Sequence, residues 1–132
     1  MKLSYNLMPL SFQNMRPVAL ASERAGLHSV AVADSPLISR ELFMSCAECL
    51  RETKSLNVMT AVTNPLTRHP SVAASAIATL CEMAPGRILI GIATGDSAAW
   101  GAGLRPAKVS VLSDYIVAVS YTHLTLPTIY SV

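Results

Sequence analysis

LNVMTAVTNPLTRHPSVAASAIATL, Leu56 to Leu80, decides how the rest of the chain is read. It opens on the apolar run Leu56–Thr63, passes through the proline-bounded segment Thr63–Pro70, and ends in an alanine-rich run with Val72, Ala76 and Leu80 at i, i+4 spacing. A short apolar run bounded by turn residues suits a buried strand, and the spacing after it suits a helix. Asn64 and His69 each precede a proline, which keeps both out of the α region, so the chain leaves the strand extended and a helix can start at Pro70. Strand, loop and helix in this order form one βα unit.

The same unit repeats on both sides. Upstream, Leu3–Met8 and Ser29–Asp34 read as strands; Pro17–Ala25 and the segment from Pro36 or Ser39 to about Thr53 read as helices, with Gly26 at a helix C-terminus. Downstream, the third helix spans Ser71–Met83, Arg87–Thr94 is the fourth strand, GDSAAWGAGLRPA is a glycine-rich loop, and a last helix runs from about Ala107 to Val117. Strands joined by helices of this length pair in parallel through right-handed crossovers, so the fold class is α/β. A doubly wound sheet and part of a (βα)8 barrel both remain open.

Composition narrows the function classes. The 132 residues are 52% hydrophobic and 14% charged with a net charge of +2, and Lys and Arg stand singly, without the basic stripe that follows a phosphate backbone. Nucleic acid is not an expected partner. No apolar run reaches the roughly 18 to 20 residues that span a bilayer, and Asn6 and Pro9 interrupt the first residues before a signal-peptide core develops, so the expected compartment is the cytoplasm. Three cysteines fit reduced thiols. Cys46 and Cys49 form C-A-E-C inside a helix with no second ligand pair, which favours an inert pair over a redox or zinc site, and His28, His69 and His123 have no metal-ligand spacing. No metal is expected.

In both architectures ligands bind at the C-terminal ends of the strands. Those ends carry Asp34 and Ser35, then Thr63 and Asn64, then Thr94, Gly95, Asp96 and Ser97, each of which suits a cap or turn as well as a ligand contact. Arg68 lies beside the start of the third helix, where an anionic group would be favoured. Asp96 either caps the next helical turn or accepts a hydrogen bond from a ring N–H. Neither a dinucleotide fingerprint, nor a phosphate loop, nor a G-x-S-x-G elbow is present.

Taken together, ERAGLHSVAVAD, VTNPLTRHPSVAASAIATL, GRILIGIATGDSA and GLRPA resemble the bacterial luciferase-like monooxygenase family, and within it the deazaflavin-dependent branch typified by methylenetetrahydromethanopterin reductase. The resemblance covers about Leu3 to Ala118. It implies the first four βα units of a (βα)8 TIM barrel, a half-barrel, since a full barrel needs about 250 residues. It also implies an oxidoreductase that transfers hydride between coenzyme F-420 and a small organic substrate or, with FMN, a monooxygenase, and a homodimer for the full-length parent. A bulge in the third strand, in some members with a non-proline cis peptide, supports the flavin ring and would fall at Ala61, Val62 and Thr63. Asn64, Gly95, Asp96 and Ser97 match positions lining the cofactor, and Asp34 matches the acid at the second strand end. Ser35 stands where many members have His, and Cys81 where an Asp is common.

The stretch VSYTHLTLPTIYSV, Val119–Val132, has no charged residue and resembles a peptide of metagenome-derived proteins in which sequencing adapter is translated onto a broken gene. The expected organisation is therefore a half-barrel over 1–118 and a non-native tail over 119–132, with a fifth strand up to Pro127 as the alternative. A competing expectation is an inactive fragment, or a half-barrel that only associates with other chains through the open edges of its first and last strands.

Overall fold

The computed structural model describes residues 1–130, with side chains as far as Tyr121. Four parallel strands, β1 (Ser4–Leu7), β2 (Ser29–Val32), β3 (Asn57–Thr63) and β4 (Ile88–Ile92), lie side by side in chain order. Helices α1 (Met15–Arg24), α2 (Leu42–Glu52) and α3 (Pro70–Met83) make the crossovers. Sequential order with uniform parallel pairing excludes the doubly wound alternative, in which the strand order reverses, and gives the half-barrel.

Strand register sorts the side chains into two faces. Tyr5, Val30, Val58 and Ile88 share one row and Leu7, Val32, Thr60 and Ile90 the next on the same side. Val30, Val32 and Val58 of this face are buried against Met15 and Ala19 of α1, Leu42, Cys46, Cys49 and Leu50 of α2, and Ala73, Ala74, Ile77 and Leu80 of α3. The opposite, concave face carries Ser4, Ser29 and Asn57 in one row and Asn6, Ala31, Met59 and Leu89 in the next, with the Ser4 and Ser29 hydroxyls 2.6 Å apart.

Local chemistry sets the element ends. Pro17 falls in the first turn of α1, where a missing N–H costs nothing, so the helix begins two residues earlier than expected, after the 3-10 turn Phe12–Asn14. Gly26 takes φ 72° just after α1, as a C-terminal glycine does. The second helix begins at Leu42 rather than at Pro36 or Ser39. Ser39 folds back on Ser35 instead, its hydroxyl donating to the Ser35 carbonyl at 3.0 Å, and Glu41 caps the helix by accepting from the Met44 amide at 2.8 Å. In α3 the cap is His69, whose Nδ1 accepts from the Ser71 amide, and Pro70 is the first helical residue.

The expected glycine-rich loop contains a short helix, α4 (Ser97–Gly101). The last helix, α5 (Val109–Tyr130), extends beyond the expected end at Val117 and buries Tyr115 and Val119 in the core; no fifth strand forms among the described residues. The side-chain packing of the tail beyond Tyr121 lies outside the described residues. No described helix is long and apolar enough to cross a membrane.

At the N-terminal end of the sheet, opposite charges clasp one turn. Glu23 Oε1 accepts from the amides of Lys54, Ser55 and Leu56 at 2.8, 2.7 and 3.0 Å. Arg87 donates to the carbonyls of Leu50, Thr53 and Leu56 and to the Thr53 hydroxyl, satisfying the last carbonyls of α2. The amide hydrogen bonds, led by that from Ser55, hold the Glu23 carboxyl down at about 2 from an ordinary 4.5, outweighing its desolvation. A lowered acid contributes stability that is present above the unfolded value and lost as pH falls through the folded one. The stability difference between wild type and Glu23→Gln, read from urea midpoints, is expected to be constant above about pH 5 and to vanish between 4.5 and about 2.

Candidate functional site

The strand ends enclose a cleft of about 340 Å³ at the C-terminal face of the sheet. Asn6 and Met8 line it from the β1 side; Asp34 and Ser35 from β2; Ala61, Val62 and Asn64 from β3; and Gly95, Asp96 and Ser97 from β4 and α4. Of the cofactor-contact residues expected from the sequence, only Thr63 is absent from this lining.

The β3 wall is irregular. Thr60 pairs with Ile90 and Thr63 with Ile92, so β3 holds one residue more than β4 over this interval, a bulge, and the Ala61–Val62 peptide within it is cis. Inserting a residue removes rungs from the ladder, and Thr60 replaces them: its hydroxyl donates to the Gly91 carbonyl and accepts from the Gly91 amide, both at 2.9 Å. A Cβ on Gly91 would lie 2.5 Å from the Thr60 carbonyl oxygen and 2.9 Å from Val62 Cγ1. Glycine is required here for close approach between two backbones.

Thr63 does not line the cleft. It is fully buried, and its hydroxyl donates to Asp34 Oδ2 at 2.8 Å, so it supports the cleft from beneath. Arg68, beside the start of α3, does not line it either. Its Nη1 donates to Asp34 Oδ2 at 2.6 Å, its Nη2 to Asp34 Oδ1 at 3.1 Å and to Glu41 Oε1 at 2.7 Å, and the guanidinium lies 5.0 Å from the Phe43 ring centroid. Burial opposes its charge and the two carboxylates more than offset that, raising Arg68 above its ordinary value. With both carboxylates engaged, Arg68 is a clamp between the β3–α3 loop, the β2 end and the α2 start, and has no charge to spare for an anion. Asp34 likewise touches the cleft while its two oxygens serve Arg68 and Thr63.

Asn64 is 1% exposed. Its Oδ1 accepts from the amides of Leu66 and Thr67 and from the Thr67 hydroxyl, folding the loop back on itself. Its Nδ2 has no partner. Buried polar groups are rarely left unpaired unless something else satisfies them, so this nitrogen marks a place for an acceptor. Gly95, at φ 90°, lets the next loop lie against Asn64: a Cβ there would be 3.3 Å from Asn64 Cβ. Asp96 precedes α4, but its carboxylate makes no cap hydrogen bond, so its capping role is not realised. The Ser35 and Ser97 hydroxyls meet at 2.6 Å and join the β2 and β4 rims.

Nucleophilic thiol chemistry does not belong to this face. Cys46 and Cys49 are buried between α2 and the sheet; desolvation raises both, Cys49 to about 12. Sequence reasoning missed Thr60 and Gly91. A glycine inside the apolar run ILIGI was the available signal, because glycine within a strand marks a bulge or a close approach. It missed Glu41 too, which gave no sign beyond a helix-start acid.

Comparison with known proteins agrees with the architecture. The luciferase-like monooxygenase family model matches residues 3–108. A 5,10-methylenetetrahydromethanopterin reductase of Methanolobus tindarius is 31% identical over 84 residues, which are 64% of this chain and 26% of that protein. The enzyme of the same name from Methanopyrus kandleri is 46% identical over 46 residues, 35% of this chain and 13% of that protein. Among solved structures, the coenzyme F-420-dependent tetrahydromethanopterin reductase from Methanopyrus kandleri superimposes with a TM-score of 0.80 at 23% identity, over 94% of this chain and 39% of that one. The oxygenating constituent of 3,6-diketocamphane monooxygenase from Pseudomonas putida, in complex with FMN, superimposes with a TM-score of 0.66 at 18% identity, over 93% of this chain and 39% of that one. At these identities the superpositions speak for the fold. The chain spans about a quarter of the length of the first of these relatives.

Two substitutions test the wall and the clamp. Gly91→Ala forces the Thr60 carbonyl aside and is expected to cost about 1–3 kcal/mol in urea unfolding. Arg68→Met leaves Asp34, whose side chain is 2% exposed, as an uncompensated buried charge, with an expected loss of about 3–5 kcal/mol. Adding Asp34→Asn to that variant is expected to recover a large part of the loss.

Proposed function

Because the chain belongs to the luciferase-like monooxygenase family, we propose that its cleft forms one side of a site for a flavin-type ring in an oxidoreductase, with coenzyme F-420 preferred over FMN. One observation carries this: the partnerless, buried Asn64 Nδ2 in a cleft at the strand ends, the place where a (βα)8 fold presents its chemistry. The preference for F-420 is supported by the methylenetetrahydromethanopterin reductases among the relatives; the FMN-bound neighbour supports the monooxygenase alternative.

The residues fit such a ring. Ala61 and Val62 offer a small apolar surface at the bulge, against which a planar group can lie without meeting charge. Asn64 offers a donor, and Gly95, Asp96 and Ser97 line the neighbouring edge. The bound cofactor would supply the hydride exchanged with a carbon centre of a small organic substrate. The protein's part on this side is to hold and orient. The Arg68 clamp fixes the loop that carries Asn64, and the Ser35–Ser97 contact fixes the spacing between the two rims. No side chain of this cleft is assigned a catalytic proton transfer.

Titrating the purified chain with F-420 and with FMN, following quenching of cofactor fluorescence, tests the proposal. Saturable binding of both, tighter for F-420, is the expected result. Tighter binding of FMN would favour the monooxygenase alternative, and no saturable change with either would leave the chain an inactive half-barrel.

A further inference from the structure

The sheet ends in an open edge on both sides. Its order, β1-β2-β3-β4, leaves the outer edges of β1 and β4 with no strand beside them among the described residues. The free N–H and C=O groups of such an edge are a template for another strand. Apolar side chains flank both edges: Tyr5 on β1 is 47% exposed and Leu89 on β4 is 38% exposed. On the helix side of the β4 edge lies a groove of about 430 Å³, lined by Ile77 of α3, Ile90 and Ile92 of β4, and Ile116 and Val119 of α5. Tyr5 belongs to the helix-side face of the other edge, in the row it shares with Val30, Val58 and Ile88.

We propose that two copies of this chain close on each other into one eight-stranded barrel: β4 of each copy pairs in parallel with β1 of the other, and Tyr5 fills the isoleucine groove. Symmetry selects this arrangement. β1 and β4 are the two ends of one uniformly parallel sheet, so a two-fold axis along the barrel keeps every strand parallel and leaves no edge open. Pairing β4 with β4, or β1 with β1, reverses the strand direction and leaves the other two edges exposed. Register agrees with closure. A (βα)8 barrel has a shear of eight, so each of two equal halves carries an offset of about four residues, and an even offset keeps inward rows on inward rows. Tyr5 thus remains on the side of the groove, while Leu89 joins Met59 in the interior. Area agrees as well: a strand edge with its helix flank covers on the order of 500 Å² per surface, so two junctions bury about 2,000 Å², enough for a stable specific pair. Closure completes the cleft too, because its open side then faces the strand ends of the partner copy. The pairing holds whatever ring the cleft accepts.

Size-exclusion chromatography with light scattering on the full 132-residue chain provides the test. The expected mass is twice the 14.0 kDa of one chain. Tyr5→Asp on the β1 edge and Ile116→Asp on the β4 flank are each expected to weaken the dimer about a hundredfold or more, since each alters both junctions. Both side chains are exposed in the single chain, so far-UV circular dichroism is expected to stay that of wild type. An equimolar mixture of the two variants retains one junction with both edges unaltered and is expected to dimerise more tightly than either variant alone. A monomeric wild type would overturn the proposal, and so would a mass that keeps growing with concentration, the mark of an open polymer. A dimer that survives either substitution pairs an edge with its own copy and would overturn the closed arrangement, as would a mixture no tighter than its components.

Discussion

The buried pair between Arg68 and Asp34 is the constraint on which the C-terminal face depends. Asp34 ends β2 and Arg68 sits in the loop between β3 and α3, so their contact closes a path through two strands and one helix. Glu41 and the Phe43 ring extend it to the start of α2. Such a pair is not automatically stabilising, because desolvating two charges opposes their attraction; what it does provide is a single arrangement of the groups around it. Here those groups are the loop bearing Asn64 and the strand bearing Thr63. The cleft inherits its shape from an interaction that itself offers nothing to a ligand.

The other end of the sheet is organised by the same physics with a different outcome. Glu23 takes amides and Arg87 takes carbonyls from one turn, and each charge is met by backbone dipoles instead of an opposite ion. The turn between α2 and β3 is thereby held from both sides. Conformational freedom is thus removed at both ends of β3, the strand that carries the bulge.

Much of the fold could be read from the sequence, because β propensity, helical spacing and punctuation by Pro and Gly are local properties. Gly26 and Pro70 each fell where local physics places them. The start of α2 was misjudged for a local reason too, since Ser39 competes for the backbone and bonds Ser35 before a helix can begin. The site was less legible. Asn64, Gly95, Asp96 and Ser97 could be placed on strand ends, and the structure gathers them with Asp34, Ala61 and Val62 in one cleft. Which face of the chain Thr63 would use depends on the bulge next to it, and so on β4. The engagement of Arg68 was not legible because its partners, Asp34 and Glu41, are remote in sequence and become neighbours only once β2 and β3 have paired and α2 has packed beside them.

The Thr60 hydroxyl stands in for main-chain groups that the bulge removes from the ladder, and Gly91 leaves the space that lets it do so. The irregularity of β3 is therefore written in two strands at once. Any lineage that loses the hydroxyl leaves an amide and a carbonyl of β4 without partners, and any lineage that gains a side chain at 91 collides with β3. Divergence at either position is bound to the other, so the shape of this wall can be inherited through extensive drift elsewhere in the chain, but it cannot be abandoned by one substitution at a time.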